Sequence, residues 1–240
     1  MSRIGVIGTG SWGTALALVL AKRHSITMWS HTQVVADAIR QRHENSIYLP
    51  GLFIPDCVGV TTHLEEAVGH AEILILAVPS EHLRSICCAM APLLSNQQLI
   101  VNATKGIEDG TYLRMTQVMG EVLGEYDLAL PCGVLSGPSF AQEVGAGSPT
   151  AITIASSDQA IATRVQEEFC GPSLRLYTND DVVGVELGGA LKNVIAIAAG
   201  ATYGLELGHN SVAALITRGI AEITRLAVAC GGRRETLAGL

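Results

Sequence analysis

An apolar run at residues 3–7 leads straight into Gly8-Thr9-Gly10-Ser11-Trp12-Gly13, and a helical pattern at 11–21 follows. This order of strand, glycine turn and helix constrains the fold more than any other feature of the chain. A G-x-G-x-x-G string is weak alone, and it gains meaning from this setting inside a βαβ unit. Gly8 permits the tight turn, Gly10 lets a pyrophosphate approach the backbone, and Gly13 lets helix pack on strand. The helix opens at Ser11 and Trp12, and its first N–H groups are free to meet phosphates. The expected ligand is a dinucleotide, NAD or NADP.

The alternation continues downstream. Strand patterns at 26–29, 73–78, 99–102, 133–135, 150–155 and 174–177 are interleaved with helical patterns at 34–42, 83–94 and 111–122. That order predicts an α/β fold, an N-terminal Rossmann-like domain with a mostly parallel sheet. Residues 73–78 (ILILAV) have no polar side chain, as a strand buried on both faces should. From Asp180 the pattern changes. Residues 185–201 are apolar almost all round, which predicts a central, buried helix. Asn210 offers an N-cap for a helix over 211–230, and Gly231-Gly232 a stop. The division is placed at residue 183, with dinucleotide binding in 1–183 and an all-α substrate and catalytic domain in 184–240. Two helices cannot bury their own apolar faces, and the chain stops at Ala238-Gly239-Leu240 without a cap. The helical domain therefore reads as missing its C-terminal part.

Composition removes several classes of function. A net charge of −7, with no Lys/Arg-rich run, argues against a sequence-independent nucleic-acid binder. Arg3 is followed by an apolar run that ends in glycines, unlike a secretory signal. No apolar stretch is expected to reach membrane-spanning length, the closest being 194–201. Cysteines 57, 87, 88, 132, 170 and 230 form no C-x-x-C pair, which predicts free thiols in a reducing cytoplasm and no metal site.

Three further strings and one lysine carry candidate chemistry. The second strand ends in Ser30-His31-Thr32, where NAD-specific folds place a carboxylate for the ribose 2′-OH. A 2′-phosphate would meet no repulsion there, and His31 could bond it, unless His31 is merely a surface residue. NADPH is expected to serve at least as well as NADH. Lys105, in Asn102-Ala103-Thr104-Lys105-Gly106, follows a strand and so faces the ligand crevice, or else is a solvated loop lysine. In Ser136–Glu143, Ser139 and Gln142 have capping-box spacing, and Gly137 and Ser139 could also offer N–H and hydroxyl groups to a ligand. Lys192 lies inside the apolar helical pattern. Burying an amine there is costly unless it is paired or used. Desolvation lowers its pKa and makes it a plausible general base, with Glu186, Asp180 or Asp181 as partner. The alternative is a lysine that snorkels to solvent.

Taken in order, GTGSWGTALA, ATKGIE, SGPSFAQEV, ELGGALKNVIAIAAG and AALITRG span the chain, and the set resembles the bacterial NAD(P)-dependent glycerol-3-phosphate dehydrogenases. The resemblance implies reduction of dihydroxyacetone phosphate to sn-glycerol 3-phosphate for glycerophospholipid synthesis. It implies cofactor contacts at Ser11, Trp12, His31, Lys105 and Ala141, and substrate contacts at Lys105, Gly137 and Ser139. Lys192 matches the family's catalytic lysine, the proton acceptor in the alcohol-oxidising direction. Members continue past Leu240 with a Gly-Asp and a Ser-Arg-Asn segment, so this 240-residue chain is expected to bind cofactor weakly and turn over poorly. Two rivals stay open: a related two-domain dehydrogenase acting on a hydroxy acid or ketopantoate-like acid, and a non-catalytic NAD(P)-binding module. The sequence leaves a homodimer undecided.

Overall fold

A computed structural model describes residues 1–238. Positions 239 and 240, and with them the expectation of an uncapped chain end, lie outside the described residues. The glycine turn joins β1 (Arg3–Ile7) to α1 (Ser11–Leu20), and β2 (Ser25–Trp29) and α2 (Gln33–Arg42) complete the first βαβ step. A small antiparallel ribbon, β3 (Glu44–Asn45) and β4 (Leu49–Phe53), precedes β5 (Val58–Thr61) and α3 (Leu64–Gly69). Then come β6 (Ile73–Leu76), α4 (Ser80–Met90), β7 (Leu99–Asn102), α5 (Met115–Gly124) and β8 (Cys132–Ser136). The domain ends with α6 (Ala141–Gly145), β9 (Thr150–Ala155), α7 (Gln159–Phe169) and β10 (Leu174–Asn179). Two long helices follow, α8 (Val182–Gly204) and α9 (His209–Ala229).

The main sheet has eight strands in the order β10-β9-β8-β7-β6-β1-β2-β5. Every pair is parallel except β8–β9, so β9 and β10 run opposite to the rest. Ile73–Leu76 are buried on both faces, as an unbroken aliphatic run in a helix-covered sheet should be. One face is packed by α1, α2, α6 and α7 through Leu16, Ile39, Val144 and Phe169. The other is packed by α3, α4 and α5 through Val68, Leu83 and Val118. Strand order reverses at β1, which lies between β2 and β6. The carboxyl ends there open the crevice in which ligands bind.

The structure corrects the sequence reading in several places. The helix expected at 111–122 begins only at Met115, because 107–114 is a folded-back loop with left-handed backbone at Gly110 and Tyr112. The N-cap of α9 is Gly208, at φ 84°, and Asn210 lies inside the helix. The helix α8 is longer than expected and only its first half is buried; Ile197 is 75% exposed. It is also long and apolar enough, by length and composition, to cross a membrane, which the shorter run at 194–201 did not suggest. β5, α3, α7 and the β3–β4 ribbon carry signals too short or too polar for the periodicity argument to detect.

Candidate active site

The opening glycines have distinct structural reasons. Gly8 has φ 116°, and a Cβ there would stand 2.4 Å from the Ala77 carbonyl oxygen. A Cβ on Gly13 would stand 2.1 Å from the Gly8 oxygen. Gly10 instead faces open space, with nothing within 4 Å of a would-be Cβ. No side chain caps α1, so its first amides are free for an anion. Asn45 ties the ribbon to the turn, its Nδ2 donating to Thr9 O and Thr14 Oγ1 at 2.8 Å each.

Beside the turn lies a groove of about 390 Å³. Gly8, Gly10, Ser30 and His31 line it, and so do Tyr48, Pro79 and His82. None of its lining residues is acidic. Ser30 turns inward, accepting from Thr9 Oγ1 and donating to Thr32 O, both at 2.9 Å. His31 is left exposed, edge-on to Trp29.

A second cluster gathers on the other side of the turn. Lys105 Nζ donates to Ser139 Oγ at 2.9 Å, and Ser139 Oγ donates to Gly137 O at 3.2 Å. Lys192 Nζ donates to the same Gly137 oxygen at 2.5 Å. The Lys105 ammonium also lies 5.1 Å from the Trp12 ring centroid, a cation–π distance. Burial and the neighbouring Lys192 push Lys105 down to about 7. Burial likewise lowers Lys192. Neither lysine has a carboxylate partner among the described residues. Ala141, first residue of α6, is half-buried against the core under α1. The indole N–H of Trp12 is buried with no hydrogen-bond partner. An orphaned donor, an uncapped helix and the open space at Gly10 all fit a phosphate-bearing dinucleotide with a polar ring.

Two expectations about this cluster are overturned. None of Glu186, Asp180 and Asp181 pairs with Lys192. Glu186 binds Arg114 and Thr116. Asp180 pairs with Arg233, and Asp181 caps α8 through Gly184 N–H and also accepts from Arg233 N and Thr236 Oγ1. The proposed capping box fails too. Phe140 is the N-cap of α6 and no side chain caps it, because Ser139 is drawn into the lysine cluster. Sequence reasoning passed over Tyr48, Pro79 and His82. The last two follow β6, and only its pairing with β1 shows that this strand end borders the crevice.

The strings that built this site recur in known proteins. The profile of the NAD-dependent glycerol-3-phosphate dehydrogenase N-terminus matches residues 3–162, and that of the C-terminus matches residues 181–240. A glycerol-3-phosphate dehydrogenase [NAD(P)+] of Acidobacterium capsulatum is 59% identical over all of this chain and 72% of its own length. The protein of the same name from Koribacter versatilis is 57% identical with the same coverage. The crystal structure of glycerol-3-phosphate dehydrogenase from Coxiella burnetii superposes with a TM-score of 0.93 at 38% identity, covering all of this chain and 72% of that one. With both profiles matched in order and relatives this near, the chain belongs to the NAD-dependent glycerol-3-phosphate dehydrogenase family.

Proposed function

We propose that the chain reduces dihydroxyacetone phosphate to sn-glycerol 3-phosphate with NADPH or NADH, supplying glycerophospholipid synthesis. One observation carries the assignment of roles: two half-buried amines, Lys105 and Lys192, converge on Gly137 and Ser139 beside the dinucleotide groove. Residues 1–183 form the dinucleotide-binding unit in this reading, and 184–240 the helical catalytic unit. Gly8, Gly10, Ser11, Trp12 and Gly13 hold the pyrophosphate end of the cofactor, with His31 at the ribose and Lys105 and Ala141 toward the nicotinamide. The bound cofactor supplies the hydride.

The residues do the rest. Gly137 and Ser139 orient the substrate, and the Lys105 cation attracts its phosphate. As the ketone carbon gains hydride, negative charge grows on the carbonyl oxygen. Lys192, as an ammonium, stabilises that charge and transfers a proton from Nζ to give the alcohol. Such a group in a water-poor site is worth several kcal/mol. In the oxidative direction the neutral amine, whose population the lowered pKa raises, takes the proton back.

The same reading places the enzyme in the cytoplasm and takes a homodimer as the assembly to test by sedimentation. The decisive assay follows NADPH oxidation at 340 nm in the presence of dihydroxyacetone phosphate (absorbance of the reduced nicotinamide). Turnover with this ketone and none with ketopantoate supports the reading; the reverse removes it. A strong preference for NADH over NADPH would remove the role given to Ser30 and His31.

A further inference from the structure

The two amines reach the site from different parts of the chain. Lys105 begins the loop between β7 and α5, whereas Lys192 stands on α8. Their spacing depends on how that loop is fastened to that helix. Lys105 passes beside Gly189 of α8, and the polar contacts of a carboxylate fasten the far end of the loop. Glu186, also on α8, has only 4% of its side chain exposed. Its Oε1 accepts the Thr116 N–H at 2.8 Å and its Oε2 accepts the Thr116 hydroxyl at 2.7 Å. Oε2 also pairs with the guanidinium of Arg114. A carboxylate from one helix thus caps the N-terminus of another, where the exposed amides and the helix dipole favour it.

Arg114 ends the loop that Lys105 begins, and the loop is stiff. Ile107 and Arg114 form an antiparallel bridge, and Glu108 N–H donates to Leu113 O at 2.9 Å. Arg84 of α4 grips both oxygens of Glu108 at 2.8 Å. Gly106 passes so close to Ser80 that a Cβ there would stand 2.5 Å from its side chain. A loop pinned in this way passes a shift of α8 on to Lys105 instead of absorbing it. A buried ion pair is in itself weak evidence for stability. Glu186 makes its hydrogen bonds to Arg114 and Thr116 and none to either lysine. It lines the same small void as Lys105, so its charge must be separated from its positioning effect by a variant that keeps the carboxylate.

We propose that Glu186 and Arg114 are positioning residues for the ketone reduction: their contact locks α8 to the loop and so sets the separation of Lys192 from Lys105. The inference rests on the roles given to the two lysines above.

The test uses the whole enzyme. Glu186→Gln keeps the shape and removes the charge. Arg114→Met removes the cation, Arg114→Lys keeps it, and Thr116→Val deletes the hydroxyl that donates to Glu186 and accepts from Arg114. Glu186→Gln and Arg114→Met should lower kcat about 10-fold or more, since a misplacement near 1 Å can cost up to about 100-fold. The KM for NADPH should stay within about twofold, and Arg114→Lys should recover most of kcat. Thr116→Val, the variant least able to unfold the protein, should lower kcat by roughly threefold, a fraction of that loss.

A second readout needs no activity. Trace labelling with acetic anhydride across pH, read by mass spectrometry, reports the titration of each lysine. The groups facing the amines are each other, the Ser139 hydroxyl, the Gly137 carbonyl and the Trp12 ring, and the Glu186 carboxylate lines the same small void as Lys105. Relaxed spacing weakens the mutual repulsion, so the Lys105 midpoint should rise from about 7 in Thr116→Val, which leaves the Glu186 charge in place. A lowered melting temperature with unchanged kcat in Glu186→Gln and Thr116→Val, and an unchanged Lys105 midpoint in Thr116→Val, overturns the proposal. Absence of ketone reduction by the wild-type enzyme would count against the functional reading instead, and the labelling would still decide the spacing.

Discussion

Lys192 and Lys105 are both cations kept partly out of water, and their substitutions should separate. Lys192→Ala should cut kcat by about 10²–10⁴-fold, the range for a positioned proton donor. Lys105→Met should weaken substrate binding and yet strengthen the fold at low pH. The sign follows from linkage. Lys105 titrates near 7 in the folded protein, against an ordinary lysine value of 10.5. Below pH 7 the folded state carries the charge in a site that disfavours it, so the penalty is fully present. Between pH 7 and 10.5 the unfolded chain binds the extra proton, and wild-type stability rises with pH. The melting temperature of Lys105→Met should therefore exceed that of wild type by about 2–4 °C at pH 6. That gain should vanish near pH 10. A pH-independent difference would show that Ser139 and packing, not charge, set the effect.

At the level of elements, Gly13→Ala tests the junction of helix and strand. Its methyl would strike the Gly8 carbonyl, and α1 must shift to admit it. Overpacking of this kind costs about 1–3 kcal/mol. The displaced amides should raise the KM for NADPH more than that for the ketone, as steady-state kinetics would show. This junction was legible in the sequence because three glycines fall between a strand run and a helix run. Lys192 was legible for a similar reason, as a lone cation in an aliphatic helix. The start of α5 was not, since positive φ at Gly110 and Tyr112 folds back a segment whose residues also suit a helix. The partner of Glu186 was hidden as well. Arg114 lies far away in sequence, and only the packing of α8 on β8 brings the two together. Ser139 shows the opposite failure: a local spacing rule was satisfied, and a tertiary contact with Lys105 displaced it.

For the whole molecule, the groove residues run from Gly8 to Ile86 and the proton donor sits on α8. The two should be thermodynamically separable. NADPH affinity of Lys192→Ala, measured by fluorescence quenching, should fall within about twofold of wild type; a larger loss would place the amine against the cofactor in the ground state. The reversal of β9 and β10 has its own consequence. Asn179 lies level with Ala155, which pairs with Val134, so the chain leaves the sheet at the end remote from the crevice. The helix that follows must climb beside β8 to reach it. At 1.5 Å per residue it gains about 15 Å by Lys192, about the length of the neighbouring strand. The amine thus crowns the middle of a mast, with its spine fully hydrogen-bonded above and below. Beyond that height the sheet has ended, which is why Val194 and Ile197 stand clear of it.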